Sequence, residues 1–248
     1  MKLSVVIPSY NEMANLQKGT LEKVERFLER QKFEYEVLVV DDGSTDGSLE
    51  FVKNFAKDNR KVKVIENSHT GKAGAVTIGM LKATGDYILF TDMDQATPIE
   101  ELDKFIPEAQ NGADVVIGSR SSARRGAPFT RKLMSQGMII LRSVLVGLSD
   151  IKDTQCGFKM FKKEAAHEIF ERIKKIHHGF KKIHGSSVTA GFDVEILYIA
   201  EKLSYKIKEI PVSWLYVETR RVNPMKDSVD GLLDLIRIRR NIIRGTYS

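Results

Sequence analysis

Tyr87-Ile88-Leu89-Phe90-Thr91-Asp92-Met93-Asp94 passes from an apolar run straight into two carboxylates. A short apolar run bounded by polar residues reads as a buried strand, here opening into a loop ahead of Pro98. Two carboxylates held that close repel each other unless a cation stands between them. A hard divalent ion that keeps part of its water shell and binds through one or two carboxylates plus phosphate oxygens suits such a loop. That chemistry points to a phosphorylated substrate. The plainer reading makes Asp94 or Thr97 the cap of a helix that begins near Pro98.

Working outward, strand and helix patterns alternate through the first half of the chain. Strands are predicted at 3–7, 36–40, 62–65 and 87–90. Between them, Leu16, Leu21, Val24, Phe27 and Leu28 mark one helix face, Leu49, Val52 and Phe55 a second, and residues 73–83 a third helix. This βαβαβαβ order predicts an α/β fold with a mostly parallel central sheet and helices on both faces. Ligands of such sheets sit beyond the carboxyl ends of the strands. Tyr10-Asn11-Glu12, Asp41-Asp42 and Asp92/Asp94 each follow a predicted strand, so three acidic clusters converge on one crevice.

The second half is less regular, with strands predicted at 114–118, 158–161 and 205–212 and a helix at 192–203. Neither a repeat nor a long linker divides the chain. One catalytic unit is expected over 1–248, with a nucleotide-binding half at 1–118 and an acceptor-binding half at 119–248.

Composition supports a well-packed core, with 248 residues of which 42% are apolar. Cys156 is the single cysteine, which excludes an intrachain disulfide and fits a reducing compartment, with a small buried residue as its plain reading. The start of the chain reads as a first core strand rather than a signal peptide. No apolar stretch approaches the roughly 18 to 20 residues needed to cross a bilayer.

The net charge of +6 is unevenly placed. Between Asp114 and Asp150 no acidic residue occurs, while Arg120, Arg124, Arg125, Arg131, Lys132 and Arg142 are all basic. A second basic stretch runs from Arg220 to Arg244. Such patches attract phosphates. The segments 133–148 and 232–244 mix apolar residues with arginine, as helices lying in a lipid headgroup region do, and the same faces would serve core packing or a homodimer contact. RNA binding would call for aromatic residues among the basic ones, and only Phe129 qualifies within 120–142, so nucleic acid is not expected as a partner.

Several familiar motifs fail. Read as a calcium loop from Asp42, the segment puts Lys53 where a bidentate Glu is required. Gly71-Lys72 lacks the first glycine and the Ser/Thr of a P-loop, with Glu66 and Ala73 in those places. No GxGxxG follows the first strand. His177, His178 and His184 are spaced unsuitably for one helical face and read as loop residues.

The remaining blocks are Val5-Val6-Ile7-Pro8-Ser9-Tyr10-Asn11-Glu12, Val39-Val40-Asp41-Asp42-Gly43-Ser44-Thr45-Asp46-Gly47, Gly71-Lys72-Ala73-Gly74-Ala75 and Asp92-Met93-Asp94. In that order they resemble the signature of family 2 glycosyltransferases with the GT-A (nucleotide-diphospho-sugar transferase) fold. Gly118-Ser119-Arg120, 153–159 and Phe192-Asp193-Val194-Glu195 look like the branch that glycosylates polyprenyl phosphates, in its glucose- and mannose-transferring members.

The resemblance implies roles. Pro8, Tyr10 and Glu12 would line the nucleoside pocket, Asp41 would bond the base, and Lys72 would sit near the nucleotide. Asp92 would face the sugar or ribose, and Asp94, with Gln95, would hold Mg²⁺ or Mn²⁺ on the donor diphosphate. Arg120, helped by Arg131 and Ser135, would meet the acceptor phosphate, making Asp92, Asp94 and Arg120 the catalytic set. Arg220 or Arg221 would neutralise the leaving diphosphate. The implied partners are a donor of the UDP-glucose or GDP-mannose type and a polyprenyl phosphate, at the cytosolic face of a membrane, with single-step inversion.

A phosphate acceptor needs cations rather than a base, because a monoester with a second pKa near 6 is mostly dianionic at pH 7. The acid-free basic stretch favours it. A saccharide hydroxyl must instead lose a proton during attack, and Asp193 or Glu195 would then be the base. Their plainer reading is a cap and first turn of the helix at 192–203.

Overall fold

The computed structural model describes residues 1–120, 129–182, 190–215 and 224–247, with backbone alone at 129–136, 138, 190 and 224–228. Seven strands form one sheet. They are β1 (Lys2–Ser9), β2 (Glu34–Asp41), β3 (Val62–Glu66), β4 (Tyr87–Thr91), β5 (Val115–Ser119), β6 (Phe158–Lys162) and β7 (Ile207–Pro211), in the order β3-β2-β1-β4-β6-β5-β7. β1 to β4 pair in parallel, β7 pairs in parallel with β5, and β6 runs antiparallel between β4 and β5.

This reversal sets the site. Because β6 runs against its neighbours, it begins at the edge where the others end, and Phe158 pairs with Thr91 at the tip of β4. Residues 155–157 are thereby delivered beside Asp92.

The helices are α1 (Met13–Leu16), α2 (Thr20–Glu29), α3 (Ser48–Asp58), α4 (Gly71–Lys82), α5 (Leu102–Gln110), α6 (Phe129–Val146), α7 (Lys163–Ile176), α8 (Ala190–Lys202) and α9 (Pro224–Ile243). Both sheet faces are covered. Side chains alternate along each strand, so Val6, Leu38, Val40, Phe90 and Phe161 enter one apolar core with α4, α7 and α8. Val5, Ile7, Val37, Val39, Leu89 and Met160 enter the other with α2 and α5. Strands buried on both faces lose alternation and read as continuous apolar runs, which is why they were predictable.

Three local expectations are corrected. The helix predicted after β1 is split into α1 and α2 by Gly19, whose φ of 74° lies in the left-handed region. A 3-10 turn, Ile99–Glu101, precedes α5, so the helix begins a turn later than Pro98 suggests. α7 was not expected at all, yet Ala165, Ala166, Ile169, Phe170 and Ile173 bury one of its faces.

Helix α4 approaches the sheet closely at Gly79, where a Cβ would come within 2.3 Å of Val6 Cγ1. That approach seats the start of α4, and with it Lys72, over the carboxyl edge of the sheet. Among the described residues no helix is long and apolar enough to cross a membrane.

Candidate active site

The loops after β1 and β2 are laced together. Ser44 Oγ accepts from Asn11 N–H at 3.0 Å, Asn11 Oδ1 accepts from Thr45 N–H at 2.8 Å, and Ser48 Oγ accepts from Glu12 N–H at 2.9 Å. Asn11 takes a left-handed φ of 54° to close this turn. Asp41, opposite Ser9 in the sheet register, accepts the N–H groups of Gly43 and Ser44 through Oδ1, while Oδ2 is buried without a hydrogen-bond partner. A buried carboxylate oxygen left unpaired is costly, so this position is suited to a donor brought by a ligand.

The two adjacent aspartates have different duties. Asp42 accepts from Thr70 N–H at 2.8 Å and Gly71 N–H at 2.7 Å, satisfying orphan donors at the start of α4, and from Asn67 Nδ2. Its carbonyl accepts from His69 Nδ1 at 2.7 Å. A carbonyl only accepts, so Nδ1 carries the proton. The His69 ring stacks on Tyr10 with centroids 4.4 Å apart, giving an aromatic wall beside Asp41.

Lys72, in the first turn of α4, places Nζ 2.5 Å from Asp92 Oδ1. Burial opposes its charge, but Asp92, Asp193 and Asp94 outweigh burial and raise its pKa. Asp94 accepts from Ala96 N–H at 3.0 Å. Burial first, and then the neighbouring Asp92, push the Asp94 carboxyl above its ordinary value against the Ala96 bond and Lys72.

A cavity of about 180 Å³ opens between this loop and the segment that enters β6, lined by Asp92, Asp94, Thr97, Arg120, Gln155, Cys156, Gly157 and Trp214 among others. Gly157 makes room for the aspartate, since a Cβ there would stand 2.0 Å from Asp92 Oδ2. Across the cavity Arg120 forms a fork with Asp153, Nε to Oδ2 at 2.7 Å and Nη2 to Oδ1 at 2.8 Å. Asp153 is itself fixed by its own N–H donating to Glu209 Oε1 at 2.8 Å. Burial opposes the Arg120 charge, and Asp153 more than compensates, raising its pKa.

Pro8, Tyr10, Glu12 and Asp41 thus gather at the ends of β1 and β2, and Lys72, Asp92, Asp94 and Arg120 gather at the cavity or its rim. Gln95 adopts φ 49° and donates through Nε2 to the Asp92 carbonyl at 2.9 Å, with its Oε1 buried and unpartnered. The side chains of Arg131 and Ser135 lie outside the described residues, as do Arg220 and Arg221.

Arg142 corrects the expectation of a phosphate-facing basic stretch. It is buried and donates to Thr154 Oγ1 and the Ile151 carbonyl, and burial lowers its pKa. Glu195 is also withdrawn from the cavity, fully buried between Tyr247 Oη at 2.6 Å and His177 Nε2 at 2.8 Å. Asp193 Oδ1 lies 2.5 Å from Lys159 Nζ.

Sequence reasoning placed none of Gln155, Cys156, Gly157, Thr97 and Trp214 in the cavity, reading Thr97 as an alternative helix cap and Cys156 as a small buried residue. The strand-end rule applied to β7 would have pointed to Trp214, three residues past Pro211. No comparable signal marks 155–157, because they precede a strand rather than follow one.

The mostly parallel sheet, with an acidic loop, an aromatic wall and a polar cavity along its carboxyl edge, has the GT-A fold of nucleotide-diphospho-sugar transferases. Solved structures agree. Mannosyl-3-phosphoglycerate synthase from Rubrobacter xylanophilus superposes with a TM-score of 0.64 at 16% identity, covering 99% of this chain and 75% of that one. A mannosyltransferase from Pyrobaculum calidifontis, solved in complex with GDP-Man and Mn²⁺, gives 0.55 at 18% identity over 99% and 72%. The chain belongs to glycosyl transferase family 2, whose family model matches residues 4–170. It is 32% identical to the dolichyl-phosphate beta-glucosyltransferase of Dictyostelium discoideum over 266 residues, 99% of this chain and 76% of that protein.

Proposed function

We propose that this glycosyltransferase moves glucose from UDP-glucose to a dolichyl or other polyprenyl phosphate. The observation that carries the reading is the cavity between the Asp92/Asp94 loop and Arg120, which has carboxylates on one side and a guanidinium on the other. The name of the Dictyostelium relative supports the sugar and the lipid phosphate.

The residues present fit a hard divalent ion. Asp94 is a partly buried carboxylate with raised proton affinity, and the neighbouring Gln95 Oε1 is a buried oxygen without a hydrogen-bond partner. Asp94 and Gln95 would hold Mg²⁺ or Mn²⁺, which when bound supplies positive charge to the departing diphosphate.

The chain's own groups perform the rest. Tyr10 and His69 present a ring face to the base, and the unpaired Asp41 Oδ2 accepts from its N–H. Pro8 and Glu12 border the ribose side of this pocket. Lys72, 2.5 Å from Asp92 Oδ1, orients that side chain toward the sugar. Arg120, held in one orientation by Asp153, directs its remaining N–H groups at the acceptor phosphate. Arg131 and Ser135 assist it, and Arg221 meets the leaving diphosphate.

A phosphate oxygen attacks the anomeric carbon as the bond to the nucleotide diphosphate breaks, so the anomeric configuration inverts. Nucleotide diphosphate leaves with the bonding electrons. Holding both partners in line provides much of the acceleration.

The chain reaches its lipid from the cytosolic surface of a membrane. α6 and α9 pack together and leave Ile140, Val144, Val229, Leu233, Ile236 and Ile243 exposed, with Arg239, Arg240 and Arg244 exposed at one end. Apolar side chains flanked by arginines suit a headgroup layer containing anionic lipid.

The test is incubation with labelled UDP-glucose or GDP-mannose, polyprenyl phosphate and Mg²⁺ or Mn²⁺. Organic-soluble label from UDP-glucose is expected. Label from neither donor overturns the reading.

A further inference from the structure

Strand β6 carries a lysine where an apolar residue is expected. Phe158 and Met160 face one core and Phe161 faces the other, on the same side of the strand as Lys159, which is 0% exposed. Lysine is almost never fully buried unless it is paired. Here two of its donors are satisfied and the charge also meets a ring face. Nζ lies 2.5 Å from Asp193 Oδ1 and donates to the Cys156 carbonyl at 2.5 Å, and the ammonium faces the Phe90 ring at 5.1 Å.

The pair stands just under the cavity. Cys156 and Gly157 line it, and Gly157 abuts Asp92. Asp193, in the first turn of α8 where the helix dipole favours a carboxylate, is near enough for its charge to act on both Lys72 and Arg120. Charges therefore alternate through the site, from Lys159 to Asp193, then Lys72, then Asp92. Asp193, which a saccharide-hydroxyl acceptor would call on as the base, is thus paired with a buried cation.

We propose that Lys159 is a positioning residue of the transfer site, which locks Asp193 as a fixed counter-charge to Lys72 and so excludes it from general-base duty. This rests on the phosphate-acceptor reading above. A site built this way takes a nucleophile that arrives already ionised and gives poor turnover with a hydroxyl that must lose a proton.

The experiment uses the full chain with polyprenyl phosphate, UDP-glucose and Mn²⁺, comparing Lys159→Met, Asp193→Asn and the double variant. Each single change strands one buried charge and is expected to lower kcat at least tenfold. The double variant removes both charges and is expected to recover at least tenfold over either single one, while staying below wild type because Lys72 still lacks its Asp193 counter-charge. A wild-type pH profile gives a second readout that needs no variant to fold. Its acid limb is expected to move upward when the acceptor is replaced by a polyprenyl phosphonate of higher second pKa.

Wild-type protein that glycosylates polyprenyl phosphate, while the double variant stays as inactive as Asp193→Asn, overturns the inference alone. An acid limb that stays in place with both acceptors also overturns it alone. Wild-type protein that labels no polyprenyl phosphate fails the acceptor reading and overturns the inference with it.

Discussion

Lys72 Nζ stands 2.5 Å from Asp92 Oδ1, so the first carboxylate of the acidic loop has its counter-charge built into the chain. Asp94, two residues on, has no ion-pair partner at that distance among the described residues, and its pKa is raised. The two aspartates therefore differ, one oriented by lysine and one without an ion pair, and under the proposed function the second would hold the divalent ion. Wild-type protein is expected to show a Mn²⁺-dependent thermal shift with UDP, which Asp94→Asn abolishes and Asp92→Asn retains. Lys72→Met is expected to lower kcat by about 10²-fold, the scale of removing one electrostatic donor from a preorganised site.

Gly157→Ala tests how closely β6 supports that loop. The added Cβ meets Asp92 Oδ2 at 2.0 Å, and the strand behind it is fixed by pairing on both sides, so the aspartate gives way. A displacement of that order costs about 10²-fold in kcat. Far-UV circular dichroism is expected to match wild type, separating a displaced side chain from a lost fold.

Asp153→Asn tests the other wall. It removes the charge that holds the Arg120 fork while preserving shape. The expected result is a rise of roughly tenfold in KM for polyprenyl phosphate, from loss of a charge-assisted hydrogen bond. KM for the nucleotide sugar is expected to stay unchanged.

Glu36 makes a prediction about stability rather than turnover. Buried on β2 opposite Ser4 of β1, it accepts from Ser4 Oγ, from Thr84 N–H and Oγ1, and from Lys63 Nζ at 2.7 Å. Burial alone would raise its pKa, but the bonds from Lys63, Thr84 and Ser4 outweigh burial and hold it at about 2. A depressed carboxyl stabilises the fold fully above its unfolded value and loses that contribution as pH falls through the folded one. A shift of this size corresponds to roughly 3 kcal/mol, which solvent around the half-exposed Lys63 reduces to about 2 kcal/mol. Urea titration of Glu36→Gln is expected to show that loss at pH 7 and a much smaller one near pH 2.5.

What the sequence disclosed follows from burial. β1, β2 and β4 are covered on both faces, so each reads as an apolar run whatever surrounds it, and the polar residues after them mark one edge. The direction of β6 is a different matter. It is set by how the chain returns from α6, and nothing in Phe158–Lys162 records it. Residues 155–157 were therefore quoted within a motif but given no place beside Asp92. Lys159 inside a strand was the available warning, since its alternation partner Phe161 is core. α7 escaped because its apolar stripe is interrupted by Lys163, Glu164, His167, Glu168, Glu171 and Arg172 on the exposed face. Asp193 and Glu195 look alike as a pair of carboxylates, yet a helix turns them apart, one toward Lys159 and the other toward Tyr247 and His177.

The position of β6 also dictates the order in which a nascent chain becomes safe. After Ser119 has emerged from the ribosome, β4 has a neighbour only in β1, and its other margin of N–H and C=O groups remains open until Phe158–Lys162 is made. β5 waits for the same segment, because it touches β4 nowhere in the register. Open strand margins recruit other chains. Polypeptides halted between residues 120 and 157 therefore carry β1 to β5 with the sheet unsealed, and are expected to be the species most in need of a chaperone.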